Sequence, residues 1–103
     1  MRLYNKLVRD KIPEVIQENE GKNAKIRILN DEEYLKELNI KLKEEVEEYL
    51  ASGEIEELAD IEEVLRTLVE IKGKSLEEFD NLRLSKVEKR GAFKDKIFLE
   101  SVE

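Results

Sequence analysis

Apolar residues recur at helical spacing along most of this chain, in separate runs divided by turn and capping residues. Between residues 30 and 50 the stripe is Leu35, Leu38, Leu42, Val46 and Tyr49, spaced three and four apart. Asn30 or Asp31 stands where a helix N-cap belongs, so the spacing predicts a helix from there to about Leu50. Ala51-Ser52-Gly53 is a natural turn, and a second helix follows over 53–72. Its apolar residues, Ile55, Leu58, Ile61, Val64, Leu65, Leu68, Val69 and Ile71, cover most of the circumference until Gly73 stops it. Ser75 with Glu78 three residues on has the form of a capping box, opening a third long helix that runs to about Arg90 and ends at Gly91. A shorter helix is predicted from Asp10, as cap, to about Asn19, with Pro13 in its first turn and Gly21 after it.

Two stretches break the helical period. Ala24-Lys-Ile-Arg-Ile-Leu29 alternates like a strand, and Lys96-Ile-Phe-Leu-Glu-Ser101 is a second candidate that could pair with it. The expected fold class is therefore mainly α: an antiparallel helix bundle with a small two-stranded β element from residues 24–29 and 96–101. At 103 residues, without a repeat or a linker, the chain reads as a single domain over 1–103.

Composition narrows the chemistry. There is no cysteine and no histidine, which removes disulfide frameworks, thiolate sites, zinc–histidine sites and Ser-His triads. No apolar run approaches a membrane span and the N-terminus lacks the apolar core of a signal peptide, so a cytoplasmic protein with no membrane partner is expected. The net charge of −7 is uneven. Residues 31–80 hold 18 acids against 6 bases, whereas 1–12 and 83–96 are both net basic. An acidic centre with basic flanks suits a metal–polyphosphate site, acids for the metal and Lys or Arg for phosphate oxygens. An acidic chain with few aromatics is a poor ligand for nucleic acid, and none is expected as a partner.

The acids themselves are patterned. Glu45 and Glu48 precede the 51–53 turn, Glu57 and Asp60 follow it, and both cross-pairs share one midpoint. In an antiparallel hairpin Glu48 would face Glu57 and Glu45 would face Asp60, with each helix's two acids stacked on one face. Such a square of oxygens, with Glu44 as a possible fifth, resists joint ionisation unless a cation joins it, and Mg²⁺ or Mn²⁺ is the expected occupant. Strings of the EExxE type decorate many solvated helices, and that bland reading leaves a non-catalytic helical interaction module as one alternative. Glu57 and Asp60 weigh against it. Glu57 aligns with Ile61, Val64 and Leu68, and Asp60 with Val64 and Ile71, so both carboxylates lie in an apolar arc where a charge needs a partner.

Glu44-Glu45-x-x-Glu48 followed by Glu57-x-x-Asp60 resembles the EExxE…ExxD signature of the MazG-like, all-α nucleoside triphosphate pyrophosphohydrolases. Tyr4-Asn-Lys-Leu-Val-Arg-Asp-Lys-Ile-Pro-Glu14 and Lys89-Arg-Gly-Ala-Phe93 look like the ends of a subfamily labelled phosphoribosyl-ATP pyrophosphohydrolase-like, and together the segments cover nearly the whole chain. The eight residues between Glu48 and Glu57 are fewer than the wider family usually carries, which implies a tight hairpin.

The resemblance implies metal-dependent hydrolysis of a (deoxy)nucleoside triphosphate between its α- and β-phosphates, giving a monophosphate and pyrophosphate. It implies Glu45, Glu48, Glu57 and Asp60 as ligands of Mg²⁺ or Mn²⁺, and Glu44 and Glu45 as catalytic carboxylates, Glu44 either as a further ligand or orienting the attacking water. Asn5, Lys6, Arg9, Lys86, Lys89 and Arg90 are then the candidates for phosphate and base contacts. Phosphoribosyl-ATP hydrolysis in histidine biosynthesis is the nearer alternative. The apolar coverage of helix 53–72 exceeds what one subunit can bury, so a homodimer or homotetramer is expected.

Overall fold

A computed structural model describes residues 3–103. Four helices follow one another: α1 (Ile12–Glu20), α2 (Asp31–Ser52), α3 (Ile55–Ile71) and α4 (Leu76–Arg90). The chain divides into two compact units, residues 1–68 and 69–103. The first carries α1, α2 and most of α3, and the second carries the end of α3, α4 and the C-terminal segment.

Local chemistry accounts for the helix ends. Asn30 caps α2, its side-chain oxygen accepting from the Glu33 N–H at 2.9 Å. Asp31, Glu32 and Glu33 in the first turn favour the positive end of the helix dipole. At the other end Gly53 takes a left-handed φ of 70° and donates its N–H to the Tyr49 carbonyl at 2.7 Å. A side chain at that φ would be strained, so glycine is what lets α2 stop and the chain reverse. Only Gly53 and Glu54 separate α2 from α3. The capping box of α4 is complete, with reciprocal bonds between Ser75 and Glu78 at 3.0 Å. For α1 the expected Asp10 cap is not used. Lys11 stands at the N-cap without a side-chain bond, and Pro13 preorganises the first turn.

Among the described residues the buried apolar ones are few: Leu38 on α2, with Val64 and Leu68 on α3. They belong to the stripes read from the sequence, and all lie in the first unit. In the second unit, α4 buries no residue, and Phe93, Ile97, Phe98 and Leu99 are exposed.

The two-stranded element is corrected by the structure. Neither 24–29 nor 96–101 is a strand, and the described residues contain no strand at all. Alternation makes a segment suitable for a sheet, but a strand needs a ladder partner for its backbone groups, and here neither segment has one. Arg27 instead holds residues 24–29 to the start of α2 through an ion pair with Glu33, Nη2 to Oε2 at 3.0 Å. No described helix is long and apolar enough to cross a membrane.

Candidate metal centre

The α2–α3 hairpin gathers five acids into two overlapping groups. Glu44, Glu45 and Glu48 form one, and Glu45, Glu57 and Asp60 the other; within each, one carboxylate oxygen per residue lies within 4.8 Å of the rest. Glu45 is the shared corner. Glu45 and Asp60 are brought together as the antiparallel pairing expects, Glu57 joins them, and Glu48 groups with Glu44 and Glu45 of its own helix.

Burial also falls differently from the sequence pattern. Glu57 and Asp60 are half-buried, Glu48 is exposed, and Glu45 is the buried acid at 6% exposure. Its Oε2 is enclosed without a hydrogen-bond partner. Burial, chiefly, raises the Glu45 pKa above the ordinary value; the Glu48 carboxylate, close enough to share a proton, pushes the same way, and Lys41 opposes both. A buried anionic oxygen with nothing to bond is costly, and its position among other carboxylates marks where a cation fits. The donor set is all hard oxygen, which suits a hard cation and not a soft metal.

Among the described residues, three basic side chains reach this cluster. Lys41 Nζ lies 3.3 Å from Glu45 Oε1 and 3.7 Å from Glu44 Oε1. Lys6 Nζ stands 3.8 Å from Glu44 Oε1, and Arg9 Nη2 donates to Asp60 Oδ1 at 2.6 Å. Lys6 and Arg9 come from the segment ahead of α1, so the basic N-terminal run docks on the acids. Asn5, exposed beside Lys6, has φ 44°, a left-handed conformation that Asn accepts better than most side chains. Lys41 was not legible as a site residue from charge alone; its i,i+4 spacing to Glu45 on α2 is the signal that finds it. Lys86, Lys89 and Arg90 lie exposed on α4 in the second unit, the last two in its final turn, where basic side chains complement the helix C-terminus. A concavity of about 420 Å³ lined by Pro13, Glu14, Gln17, Glu18, Asn23 and Ala24 shares no residue with the acidic cluster.

Comparison with protein-family models, curated proteins and solved structures gave no match for this chain. The functional reading therefore rests on the residues themselves and on the motif resemblance.

Proposed function

We propose that this protein is a divalent-metal-dependent nucleotide pyrophosphohydrolase of the MazG-like type, acting on the α–β phosphoanhydride of a (deoxy)nucleoside triphosphate in the cytoplasm. The observation that carries the reading is Glu45, a buried carboxylate with an unpartnered oxygen at the junction of two acidic groups. Glu45, Glu48, Glu57 and Asp60 would hold Mg²⁺ or Mn²⁺. When bound, such a cation supplies Lewis acidity toward phosphate oxygens and water.

The protein's own part is positioning and charge. With every acid ionised, the five carboxylates outnumber Lys6, Arg9 and Lys41 by two negative charges, the amount one divalent cation offsets. Phosphoryl chemistry depends mainly on such placement. Glu44, half-buried between Lys6 and Lys41, would orient the attacking water and accept its proton. Water adds across the α–β bond, one product taking its hydroxyl and the other its proton, to give a monophosphate and pyrophosphate.

A panel of dNTPs, NTPs and phosphoribosyl-ATP, incubated with Mg²⁺ or with EDTA, tests the proposal. Monophosphate and pyrophosphate are expected with Mg²⁺ or Mn²⁺, nothing in EDTA, and little with Ca²⁺, whose looser coordination suits tight phosphate geometry poorly. Orthophosphate as the first product would place the cut at the β–γ bond and overturn the assignment.

The reading includes self-association as a homodimer or homotetramer. Along the hairpin Ile40, Leu50, Ile55 and Leu58 are 50, 74, 70 and 41% exposed, against three buried apolar residues. Leu50, Ile55 and Leu58 lie around the turn of the hairpin, and exposed apolar side chains gathered there favour an interface. Light scattering at micromolar concentration should return a multiple of 12.1 kDa, and a stable monomer would contradict it.

A further inference from the structure

The three cations at the acidic cluster are held in different ways. Lys41 is fixed on the same helix as its partners, its side chain only 18% exposed, and it touches Glu45 through Oε1, leaving Oε2 unpartnered. It can stay in place while Oε2 binds something else. Arg9 belongs to the segment ahead of α1, its side chain is 56% exposed, and it takes Asp60 Oδ1 directly at 2.6 Å from 51 residues away in sequence. Asp60 is also one of the three acids grouped around Glu45. A divalent cation bound to Asp60 would sit about 2.1 Å from a carboxylate oxygen, on a group that already carries the guanidinium. A divalent cation that takes Oδ1, the oxygen the guanidinium holds, displaces Arg9, whose half-exposed side chain can swing into solvent, whereas Lys41 on Oε1 leaves the Glu45 Oε2 open.

Resting on the metal-centre reading above, we infer that Arg9 is a metal-displaced phosphate ligand. In the metal-free chain its guanidinium is the counter-charge of Asp60. When Asp60 turns to a divalent cation, Arg9 is released beside the cluster, where its forked donors match the oxygens of a pyrophosphate group. The released charge thus appears only when the metal needed for hydrolysis is present. Because binding is reciprocal, a group that competes with the metal and cooperates with the phosphate must affect the two affinities in opposite directions.

That opposition is the test. Calorimetry on the full chain would measure Mg²⁺ alone, and then methylenediphosphonate, a non-hydrolysable pyrophosphate mimic, at saturating Mg²⁺. Arg9→Gln should tighten Mg²⁺ by about two- to fivefold, the scale of an exposed ion pair. The same variant should weaken methylenediphosphonate by about tenfold, the scale of a charge-assisted Arg–phosphate contact. Arg9→Lys, which keeps the charge but loses the fork, should fall between wild type and Arg9→Gln in both measurements, and Lys11→Gln should change neither. An Arg9→Gln protein that binds Mg²⁺ no more tightly than wild type overturns the inference and leaves the metal centre standing. Unchanged methylenediphosphonate affinity overturns it too, and a wild-type chain that binds no Mg²⁺ overturns the metal centre beneath it.

Discussion

Replacing Glu45 by Gln should raise the melting temperature of the metal-free protein and abolish both its stabilisation by Mg²⁺ and its hydrolytic activity. The physical basis is the enclosed, unpartnered Oε2. An unsatisfied buried polar group costs about 1–3 kcal/mol, and more when charged. Gln keeps the shape, drops the charge and offers an N–H₂ to the neighbouring Glu48, as the protonated acid would. For a chain of this size each kcal/mol corresponds to roughly 4–8 °C, so a rise of that order is expected in EDTA at fixed protein concentration. Wild type should gain about 2.7 kcal/mol from Mg²⁺ at a hundred times its Kd, and the variant should gain almost none.

The same substitution isolates a pH effect. The folded-state pKa of Glu45 is raised, so over an interval of pH the folded chain holds a proton that the unfolded chain has lost. This contribution to stability is fully present below the ordinary carboxylate value of 4.5 and is lost as pH rises through the raised one. Glu33 and Glu78 have lowered values, and their contributions disappear in the other direction, as pH falls through them. Denaturation of wild type in EDTA should therefore show a loss of stability above pH 4.5 that the Glu45→Gln curve lacks. Coincident slopes would mean that Glu45 ionises freely in the fold.

The second large effect belongs to Glu57, which meets Glu45 across the hairpin and Asp60 on its own helix. Glu57→Gln removes one oxygen anion from the group joining the two helices. Outer-shell partners of metal ligands are worth 10–100-fold in affinity or activity, so loss of a ligand itself should cost at least about a hundredfold in hydrolysis. The Mg²⁺-induced shift in melting temperature should shrink in parallel. Glu63→Gln, at an exposed position on the same helix, is the control and should match wild type in both. Should Glu57→Gln behave as Glu63→Gln does, the acids are a solvated face and the metal centre is wrong.

How far the sequence reached can be seen residue by residue. The Asn30 cap and the Ser75–Glu78 box lie where spacing put them, because capping is decided by side chains within one turn. Leu38, Val64 and Leu68 were on the apolar stripes for a similarly local reason. Residues 24–29 and 96–101 were misread because alternation is local but a ladder is not. The acids fall in between. Their convergence on a hairpin could be read from the turn, whereas their register could not. The structure shows Glu45 grouped with both Glu57 and Asp60, a contact that the turn alone does not specify. Glu57 looked like the misplaced charge on a one-helix projection, but burial depends on every neighbouring element, and Glu45 carries more of it.

The Arg9–Asp60 pair also has a bearing on the order in which the protein is made. All five acids come from a short hairpin, whereas their counter-charges Lys6 and Arg9 lie near the start of the chain. A ribosome adds about 5–20 residues per second, so Asp60 is joined to the chain roughly 3–10 s after Arg9. Helices form and loops close within microseconds. Each carboxylate of the hairpin thus emerges into a chain whose neutralising cations have already been synthesised, and the crowded acids need not wait for a metal ion before they can come together.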